Sequence, residues 1–327
     1  MKAKSIVLQS ILFACIGVVL IYLSFQKVDI DSLLKVLKTG NYVSVVPVFF
    51  VSLLVYLSRV KRWQLLFEAT GEKLPANFLL ASLASGYLVN FVVPRLGEFT
   101  RAIVLKKWLS TPMHLSVSTI VFERIVDILS LILILTTAFI LEMLQQGSFL
   151  NEFTNGVDFL TKNKLIIILM ILIAGFIFYL WVKNRKNSIS RWSQDFMKVF
   201  KELCYMKNKG WFLFHTCVIW LGFYLMTYLW FFLFQESSEL SMYEAYLVMV
   251  LGVIARTLPI QAGSAGAYHF VVSKALMLLG IGNVIANAIA LIIHGFQAVF
   301  TILFGTFAYV WLLEKNKINS LSDESKN

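Results

Sequence analysis

The chain has 327 residues, of which 59% are apolar and 14% charged, and its mean hydropathy is +0.78. A soluble domain carries about 25% charged and about 45–50% apolar residues, so composition excludes a soluble globular enzyme, a disordered chain and a disulfide scaffold. The net charge is +11; in so apolar a chain basic residues collect in cytoplasmic loops and set topology, which sets nucleic acid aside as a partner.

Cys15, Cys204 and Cys217 are too few and too scattered for a disulfide framework or a zinc site. His114, His215, His269 and His294 lack metal-ligand spacing, so neither metal nor cofactor is expected. Lys2 and Lys4 precede an apolar run from Ile6 to Phe25 that is too long for a cleaved leader and reads as an uncleaved signal anchor. Leu12-Phe13-Ala14-Cys15 has the outline of a lipoprotein box, against which stands a buried helix cysteine.

In chain order, six segments are long enough to cross a bilayer: 5–25, 42–60, 114–141, 164–183, 211–235 and 284–313. Two others differ in kind. Residues 76–93 contain Ser82, Ser85 and Asn90 and end at Pro94, and residues 243–258 end at Pro259. Each meets a glycine-containing stretch, 94–98 and 259–266, and then resumes an apolar run, at 99–109 and 267–281. A span, a break and a return predict a re-entrant hairpin of two half-helices; the alternative is a kinked ordinary crossing.

Charge counting supports the hairpins. With the N-terminus inside and only the six long segments crossing, the inside segments carry +2 (1–4), +2 (59–75), +3 (94–112), +6 (183–210) and zero (C-terminal tail). The outside segments carry +1 (26–41), −1 (142–164) and −3 (236–244). That is the bias the positive-inside rule demands. The expected fold is an all-α integral membrane protein of one domain, 1–327, with six transmembrane helices plus two re-entrant hairpins entering from opposite faces. Its halves, about 1–141 and 164–313, form an inverted repeat of the kind that places a binding site at the midplane. Residues 184–210, with aromatic side chains among lysines, read either as a basic amphipathic helix on the inner leaflet or as a solvated loop.

Ionisable groups in lipid are expensive, so each is a functional candidate. Glu123, Arg124 and Asp127 open the third crossing; Glu123 and Asp127 share a face, and Arg124 can pair with Asp127 one turn on. The cluster either faces a cavity and holds a charged headgroup or is a structural ion pair near the inner interface. Asn90, Arg95, Glu98 and Arg101 surround the first break. A guanidinium fork suits phosphate, and backbone N–H groups freed at a break favour anions. Arg256 is the counterpart before the second break, with His269 after it. His269 can change charge near neutral pH and so serve in proton coupling, or simply pack.

At the two breaks the sequence resembles the flippase-like family named for the transmembrane region of lysylphosphatidylglycerol synthase. The matching stretches are Arg59-Val60-Lys61-Arg62-Trp63, Asn90 through Glu98, Glu123-Arg124-Ile125-Val126-Asp127, and Pro259 through His269. The resemblance implies two re-entrant elements and movement of a lipid between leaflets, here as a stand-alone member without the fused synthase domain. Two departures, Ser264 for a glycine and His269 for a glutamate, leave the lipid open.

The expected function is therefore translocation of a phospholipid or polyprenyl-linked glycolipid across a bacterial cytoplasmic membrane, with both termini cytoplasmic. The partners expected are a membrane lipid with an anionic headgroup, a separate lipid-synthesising enzyme and a further copy in a homo-oligomer. Two other classes stand beside it: a glycosyl- or acyl-transferase using Asp29 and Asp31, and a proton-coupled small-solute carrier using His269.

Overall fold

The computed structural model describes residues 19, 22–25, 28–93, 96–145, 149, 190–257 and 261–324. The expected crossing at 164–183, most of that at 5–25, and Arg95 lie outside the described residues. Every regular element among the described residues is helical. Four helices are long and apolar enough to cross a membrane: Tyr42–Ala69, Met113–Leu144, Lys209–Leu233 and Asn283–Lys315. They fall on four of the expected crossings.

Helix α1, Ile30–Thr39, is capped by Asp29, whose Oδ2 accepts from the Ser32 backbone N–H at 2.9 Å and from the Ser32 hydroxyl at 2.6 Å. Helix α2, Val45–Ala69, stops where Gly71 takes φ +84°, a left-handed turn that glycine enters without penalty. Helices α3, Ala76–Val92, and α4, Gly97–Leu109, fold back on each other as a hairpin. Val93 ends α3 extended, at φ −129° and ψ 109°, the conformation that a following proline ring enforces. Helix α5, Met113–Leu144, follows directly.

Helix α6, Ser190–Cys204, precedes α7, Lys209–Trp230, and the one-turn α8, Gln235–Ser238. Helices α9, Met242–Thr257, and α10, Gln261–Leu278, make the second hairpin, and α11, Asn283–Glu324, completes the described chain.

The second break is shorter than the sequence predicts. Helix α10 begins at Gln261, so Gly263 and Gly266 lie inside it and not in the turn. Glycine costs a helix about 1 kcal/mol against alanine, a penalty that packing against α9 and α11 outweighs. The 184–210 stretch is helical over Ser190–Cys204 and not a loop; Val199 and Leu203 are buried and Phe200 meets Phe122 at 5.4 Å, so its apolar face lies against α5.

Glycines set the closest backbone approaches. A Cβ on Gly97 would sit 2.1 Å from the Gly86 carbonyl oxygen, one on Gly222 would sit 2.3 Å from Val55, and one on Gly305 would sit 2.6 Å from Leu88. These contacts lock α3 to α4, α7 to α2 and α11 to α3. One core gathers around Trp63, Phe67, Leu83 and Leu105, and another around Leu247, Val272, Leu276 and Ile289. On α5 the side chains of Ile128, Leu129, Ile132 and Leu133 are instead exposed. A continuous apolar face of this kind is a liability in water and the natural surface of a helix in lipid.

Candidate functional site

The charged residues of the first half converge where α2, α4 and α5 meet. On α2, Arg59, Arg62 and Trp63 stand three and four residues apart and share a face. On α5, Glu123 and Asp127 do the same. Arg62 donates to Glu123 Oε1 at 3.1 Å and to Asp127 Oδ1 at 2.7 Å. Arg101, from α4, donates to Glu123 Oε2 at 2.9 Å. Arg124 donates to Glu123 Oε1 at 2.7 Å and to Asp127 Oδ2 at 3.1 Å, the intrahelical pair that the sequence spacing predicts. Glu123 thus meets three guanidinium groups, and two carboxylates serve three cations.

The cluster has a dry wall and an open edge. The side chains of Arg62 and Glu123 are 0% and 1% exposed and that of Arg101 is 5% exposed, whereas those of Asp127 and Arg124 reach 18% and 39%. Trp63 backs the wall: the Arg101 guanidinium carbon lies 3.9 Å from its ring centroid, and its indole N–H donates to the Thr119 hydroxyl at 3.1 Å. The Nε–H groups of Arg62, Arg101 and Arg124 are buried and donate to nothing among the described residues. Burying charges in this way is costly, and replacing such a network by apolar side chains is often neutral or stabilising. A charged cluster carried by helices long and apolar enough to cross a membrane is a candidate functional site.

Asn90 and Glu98 flank the first break and differ in their contacts. Asn90 Oδ1 accepts from the Gly97 backbone N–H at 2.6 Å, satisfying a donor that the start of α4 leaves unpaired. Asn90 therefore closes the break. Glu98, in the first turn of α4, places Oε2 in a buried position with no hydrogen-bond partner among the described residues.

Arg256 and His269 form a second group on the other hairpin. The Arg256 guanidinium lies 4.2 Å from the Tyr268 ring centroid. His269 is buried between the rings of Phe25, at 6.0 Å, and His294, at 5.2 Å. Nearby, the Ser24 hydroxyl donates to Asn287 Oδ1 at 2.7 Å, and the Ser273 hydroxyl donates to the His269 carbonyl at 2.6 Å.

Candidate selection from sequence misses Arg62 and Trp63, because the apolar run of α2 ends near residue 60 and Arg62 then counts as an inside-loop charge. The helix continues to Ala69 and carries Arg62 to the centre of the network. The three-and-four spacing of Arg59, Arg62 and Trp63 is the signal that could have found them. Asp29, half of the acidic pair in the transferase reading, is engaged as the N-cap of α1. Among the described residues no group of three or more His, Cys, Asp or Glu side chains could hold a metal ion.

A model of the family described as the lysylphosphatidylglycerol synthase TM region matches residues 6–305. The chain is 24% identical to the UPF0104 membrane protein MJ1595 of Methanocaldococcus jannaschii over 291 residues, 80% of this chain and 82% of that relative. No solved structure matches it. With the family match running through both hairpins and the charged network, the chain belongs to the lysylphosphatidylglycerol synthase TM-region family and is an integral, multi-pass membrane protein.

Proposed function

We propose that the protein moves a phospholipid or polyprenyl-linked glycolipid between the leaflets of the bacterial cytoplasmic membrane, by alternating access around a charged chamber between two re-entrant hairpins. The observation that carries this reading is the network of Arg62, Arg101, Arg124, Glu123 and Asp127, dry on one side and open on the other. A lipid headgroup needs such a refuge while it crosses hydrocarbon. Arginine N–H groups suit its phosphate, and Asp127 and Glu98 suit an amine or hydroxyl beside it.

The lengths of the hairpin helices support a re-entrant path. At 1.5 Å per residue the 17 residues of α3 span about 25 Å and the 13 of α4 about 20 Å, short of the roughly 30 Å hydrocarbon core. Pairwise packing supports an inverted repeat. Helix α2 packs on α3 as α7 does on α9, α4 packs on α5 as α10 does on α11, and α2 packs on α7, its counterpart. The two hairpins touch through α3 and α10. Rocking of one half against the other would expose the chamber to each side in turn.

Translocation is favoured over transfer chemistry because Asp29 already serves as a helix cap. A separate enzyme would then supply the lipid. The test is leaflet exchange: purified protein in vesicles is expected to speed the exchange of labelled lipids over protein-free vesicles. Equal rates for every lipid class, polyprenyl glycolipids included, would overturn the proposal.

A further inference from the structure

We infer that Arg59, held between the rings of Tyr87 and Phe223, is the receptor for the phosphodiester group of the translocated lipid. The inference rests on the translocation reading and names the contact on which it turns.

The other described arginines of the cluster are already committed. Arg62 and Arg124 each meet Glu123 and Asp127, and Arg101 meets Glu123 while lying over Trp63. Arg59 has no carboxylate within ion-pair distance among the described residues. Its hydrogen bond goes from Nη1 to the Tyr87 hydroxyl at 2.7 Å, and its guanidinium carbon lies 5.8 Å from the Tyr87 ring centroid and 5.5 Å from that of Phe223.

Rings and a neutral hydroxyl hold the group in place without cancelling its charge. A guanidinium has five N–H donors, and one is used among the described residues. The site is therefore a preorganised cation with most of its fork open, one turn along α2 from Arg62 and half-buried.

The surroundings favour a lipid over free phosphate. Tyr56 stands 5.3 Å from the Tyr87 ring and 5.1 Å from that of Phe300, and Phe300 stacks on Phe304 at 4.3 Å. Phe300 is buried beneath, and the half-buried rings of Tyr56, Tyr87 and Phe304, from α2, α3 and α11, are apolar ground beside the cation. The glycerol and the first chain carbons of a phospholipid would lie on it, and a free phosphate would gain nothing from it.

The probe is dihexanoylphosphatidylglycerol, titrated calorimetrically into the full chain in detergent, with inorganic phosphate and uncharged dihexanoylglycerol titrated alongside. Wild type is expected to bind the phosphodiester lipid more tightly than either comparison ligand. Arg59→Gln is expected to weaken that binding by about tenfold to a hundredfold, the range for a charged hydrogen bond. Arg59→Lys, which keeps charge but loses the fork, should fall between them, and Tyr87→Phe, which keeps the ring, should cost less than Arg59→Gln.

Unchanged binding by Arg59→Gln, or an equal loss towards dihexanoylglycerol, overturns the assignment. Inorganic phosphate binding as tightly as the lipid also overturns it. If Arg59→Gln does not fold, wild-type affinity in Arg59→Lys overturns it instead. Leaflet exchange separates the two claims: Arg59-dependent binding without accelerated exchange keeps Arg59 as the phosphodiester contact of a bound lipid but removes translocation, and accelerated exchange with binding indifferent to Arg59 keeps translocation and removes the Arg59 contact.

Discussion

Arg101 lies over Trp63, its guanidinium carbon 3.9 Å from the ring centroid, while its Nη2 donates to Glu123 at 2.9 Å. The aromatic face takes one side of the cation and the carboxylate its edge, and Thr119 fixes the indole by accepting from its N–H. A desolvated cation–π contact is worth about 2 kcal/mol. Trp63→Leu is therefore expected to destabilise the protein by about 2 kcal/mol more than Trp63→Phe, which keeps a ring under Arg101. Thermal unfolding in detergent reads the difference, and equal losses would count against the contact.

Glu123 neutralises three arginines in a site closed to solvent, and Asp127 two at its open edge. Removing one partner of a buried pair costs about 3–5 kcal/mol, because the charge left behind is unpaired. Glu123→Gln is expected to fall in that range and Asp127→Asn below it. The same unfolding measurement checks the order, and a reversed order would mean that the dry wall is not where the network draws its strength.

The first hairpin closes only because two glycines face each other. Gly97→Ala would put a methyl group 2.1 Å from the Gly86 carbonyl oxygen and 2.5 Å from the Asn90 side chain. Backbone cannot yield as a flexible side chain does, so α3 and α4 must separate, and the Asn90 bond to the Gly97 N–H is lost. Gly210→Ala, with nothing within 4 Å of the new atom, is the matched control. Amide hydrogen exchange over 82–105 is expected to rise in Gly97→Ala and to stay at the wild-type level in Gly210→Ala.

Asp29 sits outside the membrane-spanning helices, and the hydrogen bonds it accepts from the Ser32 hydroxyl and backbone N–H lower its pKa from the ordinary 3.8. A carboxylate depressed in the folded state contributes stability above its unfolded pKa and loses it as pH falls through the folded value. The anchoring of α1 by this cap should therefore persist above about pH 4 and fade below it. Asp29→Asn is expected to flatten the pH dependence of unfolding in that acidic window. Wild-type pH dependence in Asp29→Asn would show that the cap is not the source.

The apolar runs made much of this architecture readable. The four long helices begin within a few residues of the runs that announced them, and two also end so; α2 continues nine residues past its run and α11 eleven, and Pro94 marks the first break as the proline rule requires. Local pattern says less about what folding brings together. Arg62 looked like a loop charge because hydropathy falls before the helix ends. Gly263 and Gly266 looked like a turn because helix propensity is local, whereas the packing that overrides it comes from α9 and α11. Arg101, Glu123, Arg124 and Asp127 meet as their charges suggested, whereas Asn90 bonds across the break to the Gly97 N–H. Arg256 and His269 instead meet aromatic rings, Tyr268 and His294, which no spacing along the chain could have indicated.

Glu98 offers the most direct test of the chamber, because its buried Oε2 has no hydrogen-bond partner among the described residues, so its removal breaks none of the five ion pairs described above. Leaflet exchange of a labelled phospholipid should be compared in vesicles holding equal amounts of folded wild type and Glu98→Ala. Exchange that is fast with wild type and falls towards the protein-free rate with Glu98→Ala is the result expected. Exchange with Glu98→Ala as fast as with wild type would contradict the claim that the lipid passes through this charged chamber.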